Sequence, residues 1–204
     1  MNSSPISIVL ADDEHLIRGA LAALLDLEDD FAVVADVDNG TDALAAAHQH
    51  GPTVCVLDLE MPPTDGVDTA SNILREIDTH IVMVTRHARP GVLRRALAAG
   101  VKGFVPKSTP SEKLAEVIRT VAGGARYVDP EIAASALTGT DCPLSERELD
   151  VLRATTEHDT LAQTAQELHL AAGTVRNYVS SAIAKLGVSS RQQAAQKAWE
   201  EGWI

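Results

Sequence analysis

Five short β-rich runs, spaced by stretches of helical periodicity, constrain this chain more than any other feature. The runs are Ile6–Leu10, Phe31–Val37, Thr53–Leu57, His80–Thr85 and Gly103–Pro106. Helix-like segments lie between and after them: Leu16–Leu27, Thr41–His50, Val67–Ile77, Pro90–Ala99 and Pro110–Ala122. Alternation at this spacing predicts parallel strands joined by helical crossovers, with helices on both faces of the sheet. The strands are almost continuously apolar, as burial on both faces requires. The expected fold is an α/β doubly wound, five-stranded parallel sheet over residues 1–123. Its last helix has a start signal: Thr109 as cap, Pro110 in the first turn and Glu112 completing a capping box.

The pattern changes after Gly123 and Gly124. Residues 124–143 read as a linker, with a short helix from Pro130 to Leu137 and a loop "TGTDCP" after it. Residues 144–204 hold four helical segments and no strand, a small all-α domain. Ser145 and Glu148 form a capping box ahead of the first. Thr160–Leu168 is short, Ala172–Leu186 is longer, and Ser190–Glu201 stops before Gly202.

Charge separates the two parts. The chain carries 17 Lys and Arg against 29 Asp and Glu, a net charge of −12. That excludes coating of nucleic acid by bulk charge. Between Ala171 and Lys197, however, stand Arg176, Lys185, Arg191 and Lys197 with no acid among them. The two cysteines, Cys55 and Cys142, form neither a disulfide framework nor a metal-ligand spacing. No apolar run approaches the roughly 18 residues of a membrane span, and the N-terminus lacks a signal-peptide pattern. A cytoplasmic protein without direct membrane insertion is expected.

The chemistry lies at the strand ends, where doubly wound sheets bind ligands. The first strand runs into Asp12, Asp13 and Glu14; the third ends in Asp58, the fourth in Thr85, and the fifth leads to Lys107. Clustered carboxylates either share protons or bind a hard cation, and an all-oxygen set favours magnesium or calcium over zinc. Beside a divalent ion one carboxylate can attack a phosphoryl group, with a lysine and a hydroxyl holding its oxygens. Asp58 is central and is the nucleophile candidate. Pro62 and Pro63 are expected to hold the following loop away from the site. A haloacid-dehalogenase-type phosphatase needs Asp two residues after such a nucleophile; here Glu60 stands there.

These motifs resemble the receiver domain of two-component response regulators. "VLADDE" is similar to the acidic pair, "VLDLEMPPTDG" to the phosphoacceptor strand, "VMVT" to the switch strand and "GFVPKS" to the lysine strand. The resemblance implies that Asp58 takes a phosphoryl group from a sensor histidine kinase. It implies Mg2+ on Asp13, Asp58 and the Glu60 carbonyl, with Asp12 acting partly through water. Lys107 would contact the phosphoryl oxygens, Thr85 would move toward them, and Phe104 would turn inward as a coupled switch. Enzymatic activity would go no further than assisting the chain's own aspartyl phosphorylation and dephosphorylation. Two features depart from the family: Ser108 and Thr109 stand before Pro110, and Arg86 replaces a small residue after the threonine. Arg86 and Glu60 are expected to set the lifetime of the phosphorylated state.

In the last domain, Val175, Val179, Ile183 and Leu186 form one apolar stripe. Thr174, Arg176, Asn177, Ser180, Ser181 and Lys185 occupy the other side, groups that suit a major groove. "PLSERELDVL" and "TVRNYVSSAIAKLGVSSRQQAA" resemble the LuxR-type helix-turn-helix domain. The whole chain therefore resembles the NarL/FixJ family of response regulators, and within it the DesR-like branch. By that likeness Arg176, Asn177 and Ser180 would reach bases of promoter DNA, while Thr174 and Lys185 would touch phosphates. His158, Leu161 and Thr164 depart from the family's scaffold helix, and Glu157 and Asp159 add negative charge there. A phosphorylated homodimer, with RNA polymerase as a further partner, completes the expectation. Leu21, Leu24, Leu114, Val117, Ile118 and Val121 are candidates for its receiver surface, and Ala194, Ala195 and Ala198 for its DNA-binding surface. The alternative is a phosphorylation-independent DNA-binding transcription factor with a non-signalling receiver.

Overall fold

The computed structural model describes residues 4–87, 89–138, 142–158 and 160–204. Asp159 and residues 139–141 of the expected linker lie outside the described residues. Two compact units divide the chain, one formed by residues 1–88 and 92–134, the other dominated by residues 135–204.

The first unit alternates strand and helix: β1 (Ile6–Ala11), α1 (His15–Leu25), β2 (Phe31–Val37), α2 (Gly40–His50) and β3 (Val54–Asp58). A short hairpin, β4 (Glu60–Met61) and β5 (Thr64–Asp65), leads to α3 (Gly66–Glu76). Then come β6 (His80–Thr85), α4 (Pro90–Ala99), β7 (Gly103–Pro106), α5 (Ser111–Ala122) and β8 (Tyr127–Val128), and α6 (Pro130–Thr138) begins in this unit and ends in the second. The main sheet has strand order β2-β1-β3-β6-β7-β8, parallel throughout. Chain direction across the sheet reverses at β1 and β3, so the crevice for a ligand lies outside the carboxyl ends of those two strands.

The sheet has six strands where five were expected. Gly123 and Gly124 stop α5, Gly124 at φ 85, and Tyr127 then donates its N–H to Lys102 O at 2.9 Å. Two residues of pairing alongside β7 follow, too short a run to stand out by periodicity. The expected Thr109 cap is also corrected. Pro110 is itself the N-cap of α5, with no side-chain hydrogen bond, because its extended backbone places Ser111 at the first helical position.

Ile8, Leu10, Val54, Val56, Val82 and Val105 pack against Leu114, Val117, Ile118 and Val121 of α5. The α5 residues proposed for a dimer surface thus face the core. Leu21 of α1 packs against the same core, and the exposed large apolar residues of α1 are Leu16 and Leu24.

The second unit contains α7 (Glu146–Glu157), α8 (Leu161–Glu167), α9 (Ala172–Leu186) and α10 (Arg191–Glu200). Reciprocal capping boxes open α7 (Ser145 with Glu148) and α8 (Thr160 with Gln163), each worth about 1 kcal/mol. The turn between α8 and α9 passes through His169 at φ 53, a left-handed conformation that costs a side chain some strain. Gly187, at φ 66, ends α9. Leu149, Leu152, Ala182, Leu186 and Trp203 form the main core. Ala194, Ala195 and Ala198 are buried, so they pack within this unit rather than forming an open dimer face.

Candidate functional site

Asp58 is the last residue of a strand buried along its whole length. Its carboxylate accepts a hydrogen bond from Lys107 Nζ at 2.8 Å. The same ammonium lies 2.9 Å from Asp12 Oδ2 and donates to Glu14 Oε1 at 2.8 Å. One lysine therefore faces three acids. Burial pushes the Asp58 carboxyl above the usual aspartate range; Lys107 opposes that rise and neighbouring Asp12 adds to it. Burial works against the Lys107 charge, yet Asp58, Glu14 and Asp12 together hold its pKa above the ordinary lysine value.

Backbone geometry fixes these groups. Lys107 donates its N–H to Thr85 O at 2.7 Å, which ties the lysine loop to the end of β6. Arg18 of α1 is buried and donates from Nη1 to the Asp12 carbonyl at 2.6 Å, fastening the end of β1. Glu14 donates its backbone N–H to Asp12 Oδ1 at 2.8 Å. Gly66 closes the other side: its N–H donates to Leu59 O at 2.7 Å, and a Cβ there would meet Asp58 O at 2.1 Å. Only glycine allows α3 to start so close to the Asp58 backbone. The prolines form the tip of the β4–β5 hairpin, and Pro62 lines the acidic cleft rather than standing clear of it.

Asp12, Asp13, Glu14 and Asp58 each bring one carboxylate oxygen into a group spanning no more than 4.8 Å. Asp12 Oδ2 is buried and accepts no hydrogen bond; its 2.9 Å approach to Lys107 is an ion pair without hydrogen-bond geometry. An unfilled buried oxygen among all-oxygen donors fits a hard divalent cation such as Mg2+. The Glu60 side chain is exposed and stands outside that group, its carboxylate 3.5 Å from His87 Nδ1. Glu14 stands inside it. Its carboxylate is gripped by Lys107 and by both Nε and Nη2 of Arg86, and these cations hold its pKa down to about 2.

Thr85 is fully buried at the end of β6; its hydroxyl donates to His87 O at 3.2 Å and accepts from His87 N at 3.0 Å. Phe104 is fully buried on β7.

In the second unit, Arg176, Asn177 and Ser180 are exposed on α9 and Thr174 is half-buried. Val175, Val179, Ala182 and Leu186 face inward. Lys185 is already engaged. Its Nζ donates to Glu148 Oε2 at 2.7 Å, and Ser181 Oγ donates to Glu148 Oε1 at 2.6 Å. The same glutamate accepts from Ser145 N at 2.7 Å and Ser145 Oγ at 3.0 Å. Burial acts to raise the Glu148 pKa, but Lys185, Ser181 and Ser145 overcome it and bring it to about 2. Lys197 donates to the Leu186 carbonyl at 3.1 Å, where a cation complements the end of α9. Arg176 and Lys185 are both exposed on α9, and of the two Lys185 is paired with Glu148. On α8, the buried Thr164 hydroxyl bonds its own turn at Thr160 O, 3.3 Å away, and His158 Nε2 lies 2.6 Å from Glu167.

Residues 8–119 match the response regulator receiver domain family, and residues 142–198 match the luxR family of bacterial regulatory proteins. The chain belongs to the DNA-binding response regulators of the NarL/FixJ type. It is 40% identical to the transcriptional regulatory protein DesR of Bacillus subtilis (strain 168), covering 98% of this chain and 99% of the relative. The regulator UhpA of Escherichia coli (strain K12) is 33% identical over 97% of this chain and 100% of its own length. Among solved structures, the response regulator ChrA of a heme-sensing two-component system matches at TM-score 0.60 and 26% identity, covering 99% of this chain and all (100%) of that one. This response regulator thus joins a receiver to a LuxR-type DNA-binding domain. Among the described residues no helix is long and apolar enough to cross a membrane.

Proposed function

We propose that this response regulator accepts a phosphoryl group on Asp58 from a sensor histidine kinase, and that the phosphorylated form dimerises and binds promoter DNA through α9. The observation that carries this reading is the single lysine shared by Asp58, Asp12 and Glu14 at the switch point of the sheet. In the transfer, an Asp58 oxygen attacks phosphorus while the bond from phosphorus to the kinase histidine nitrogen breaks, and the imidazole leaves. Asp12, Asp13, Asp58 and the Glu60 carbonyl would hold Mg2+, which when bound neutralises charge on the phosphoryl oxygens. Lys107 sits 2.8 Å from Asp58 Oδ2, close enough to pair with those oxygens after transfer. Thr85 would leave the His87 backbone to reach them, with Phe104 coupled to it. Arg176, Asn177 and Ser180 would read bases, while Thr174 and Lys185 would touch phosphates, Lys185 with the donors that its bond to Glu148 leaves over. RNA polymerase is a further proposed partner, the cytoplasm the proposed location, and 1–123, 124–143 and 144–204 the proposed receiver, linker and DNA-binding limits.

The test is phosphate-affinity gel migration of wild type and Asp58→Asn after acetyl phosphate and Mg2+, with oligomer mass read on the same samples. The expected result is a shift and a doubled mass for wild type alone. A wild type that shifts no more than Asp58→Asn would overturn the assignment.

A further inference from the structure

Arg86 reaches from the end of β6 to Glu14 at the start of α1, 72 residues away in sequence. Both partners are partly exposed, with side chains 50% and 37% accessible. Surface pairs of this kind add little to stability, so folding alone gives no reason for the placement. The position does. Arg86 lines the same cleft as Asp58 and Lys107, a space of about 310 Å³. Hydrogen bonds of 3.0, 2.8 and 2.8 Å connect Arg86 to Glu14, Glu14 to Lys107, and Lys107 to Asp58. The Asp12 and Asp58 charges already act on the Arg86 guanidinium, beside that of Glu14.

The charges favour a change of partner. Asp12, Asp13, Glu14 and Asp58 face two cations, Lys107 and Arg86, and a divalent ion would complete the balance. Phosphorylating Asp58 replaces a singly charged carboxylate by a group carrying about −1.5 to −2. The new oxygens match the planar fork of a guanidinium as a carboxylate does, and carry more charge.

We propose that Arg86 is a phosphoryl-shielding residue: held by Glu14 in the resting protein, it transfers to the phosphoryl oxygens on Asp58 and closes the mouth of the cleft to water. The proposal rests on Asp58 being the phosphoacceptor. The reaction it slows is hydrolysis. A water oxygen attacks phosphorus, the bond from phosphorus to the Asp58 oxygen breaks, the carboxylate leaves with both bonding electrons, and inorganic phosphate departs with the hydroxyl of the water, whose proton passes to solvent. A guanidinium across the open face occupies the line of that attack. Glu14 is the resting tether, so neutralising it frees Arg86.

The test compares full-length wild type, Arg86→Ala, Glu14→Gln and Asp58→Asn. Phosphate retention is followed after the donor is removed, and the Arg86 Nε–H resonance is followed by NMR on addition of beryllofluoride and Mg2+. The expected half-life falls about tenfold in Arg86→Ala, the effect of removing one charge-assisted hydrogen bond from the protected state, and lengthens in Glu14→Gln. The Arg86 resonance is expected to move with beryllofluoride in wild type and to stay fixed in Asp58→Asn. An Arg86→Ala half-life equal to or longer than wild type, or an adduct that leaves the Arg86 resonance in place, overturns this proposal alone. Failure of wild type to form either the phosphate or the beryllofluoride adduct overturns the reading of Asp58 and this proposal together.

Discussion

Each unit buries a carboxylate against a lysine, and the two pairs are built in opposite ways. In the first unit Lys107 serves Asp58, Asp12 and Glu14 at once, and burial leaves Asp58 harder to ionise than a free aspartate. In the second unit Glu148 alone receives donors from Lys185, Ser181 and Ser145 and ionises far more readily than a free glutamate. The first arrangement has too few donors for its acids; the second has a full set for one. Shortage leaves a group poised to bind a cation or form a bond, whereas saturation makes a clasp. Residue type does not distinguish a reactive carboxylate from a structural one. The number of partners does.

Removing the saturated acid should cost the second unit more stability than any other change considered. Glu148→Ala removes the acceptor shared by Lys185, Ser181 and Ser145 and should cost about 2 kcal/mol, less than breaking a fully buried pair because Lys185 keeps 42% of its side chain exposed. Both tryptophans, Trp199 and Trp203, lie in the second unit, so urea unfolding followed by tryptophan fluorescence reads that unit directly. The effect has a defined pH dependence. The Glu148 pKa is lower folded than unfolded, so its stabilisation is complete above about 4.5 and is lost as pH falls toward about 2. The stability gap between wild type and Glu148→Gln should close over that window.

A smaller effect comes from supplying the missing cation. Mg2+ at about ten times its dissociation constant should stabilise the first unit by roughly 1.4 kcal/mol through mass action, measured by calorimetry, and Asp12→Asn should abolish that gain. Next, Asp58→Asn in the absence of metal should raise the stability of the first unit slightly, since a charge disfavoured by burial and its repulsion from Asp12 are removed. Its sign is opposite to that of Glu148→Ala, which sharpens the contrast. The smallest effect belongs to half-exposed Glu14: Glu14→Gln should lower the thermal midpoint only slightly, because solvent screens its pairs with Arg86 and Lys107.

The sequence carries Asp12, Asp58, Thr85 and Lys107 plainly, because strand periodicity places all of them at one edge of the sheet. Glu14 reads there as one more acid in a run; only the fold brings Arg86 and Lys107 onto it. Arg18 looks like a surface cation of a helix, and its burial against the Asp12 carbonyl depends on how α1 packs. Glu148 is legible as a capping-box residue, but its bonds with Ser181 and Lys185 cross 33 and 37 residues, beyond local pattern. Lys185 has the spacing of a DNA-binding residue, and tertiary pairing has already engaged it. Tyr127–Val128 is too short to announce a strand. Local spacing records elements and their ends; partners contributed by distant elements are set by packing.

The direct test of the contrast is a carboxyl-carbon NMR titration of Asp58 and Glu148 in the same full-length, metal-free sample. The expected result is Glu148 titrating near 2 and Asp58 titrating above the ordinary aspartate value of 3.8. An Asp58 that titrates below that value, alongside a Glu148 near its ordinary 4.5, would contradict the account.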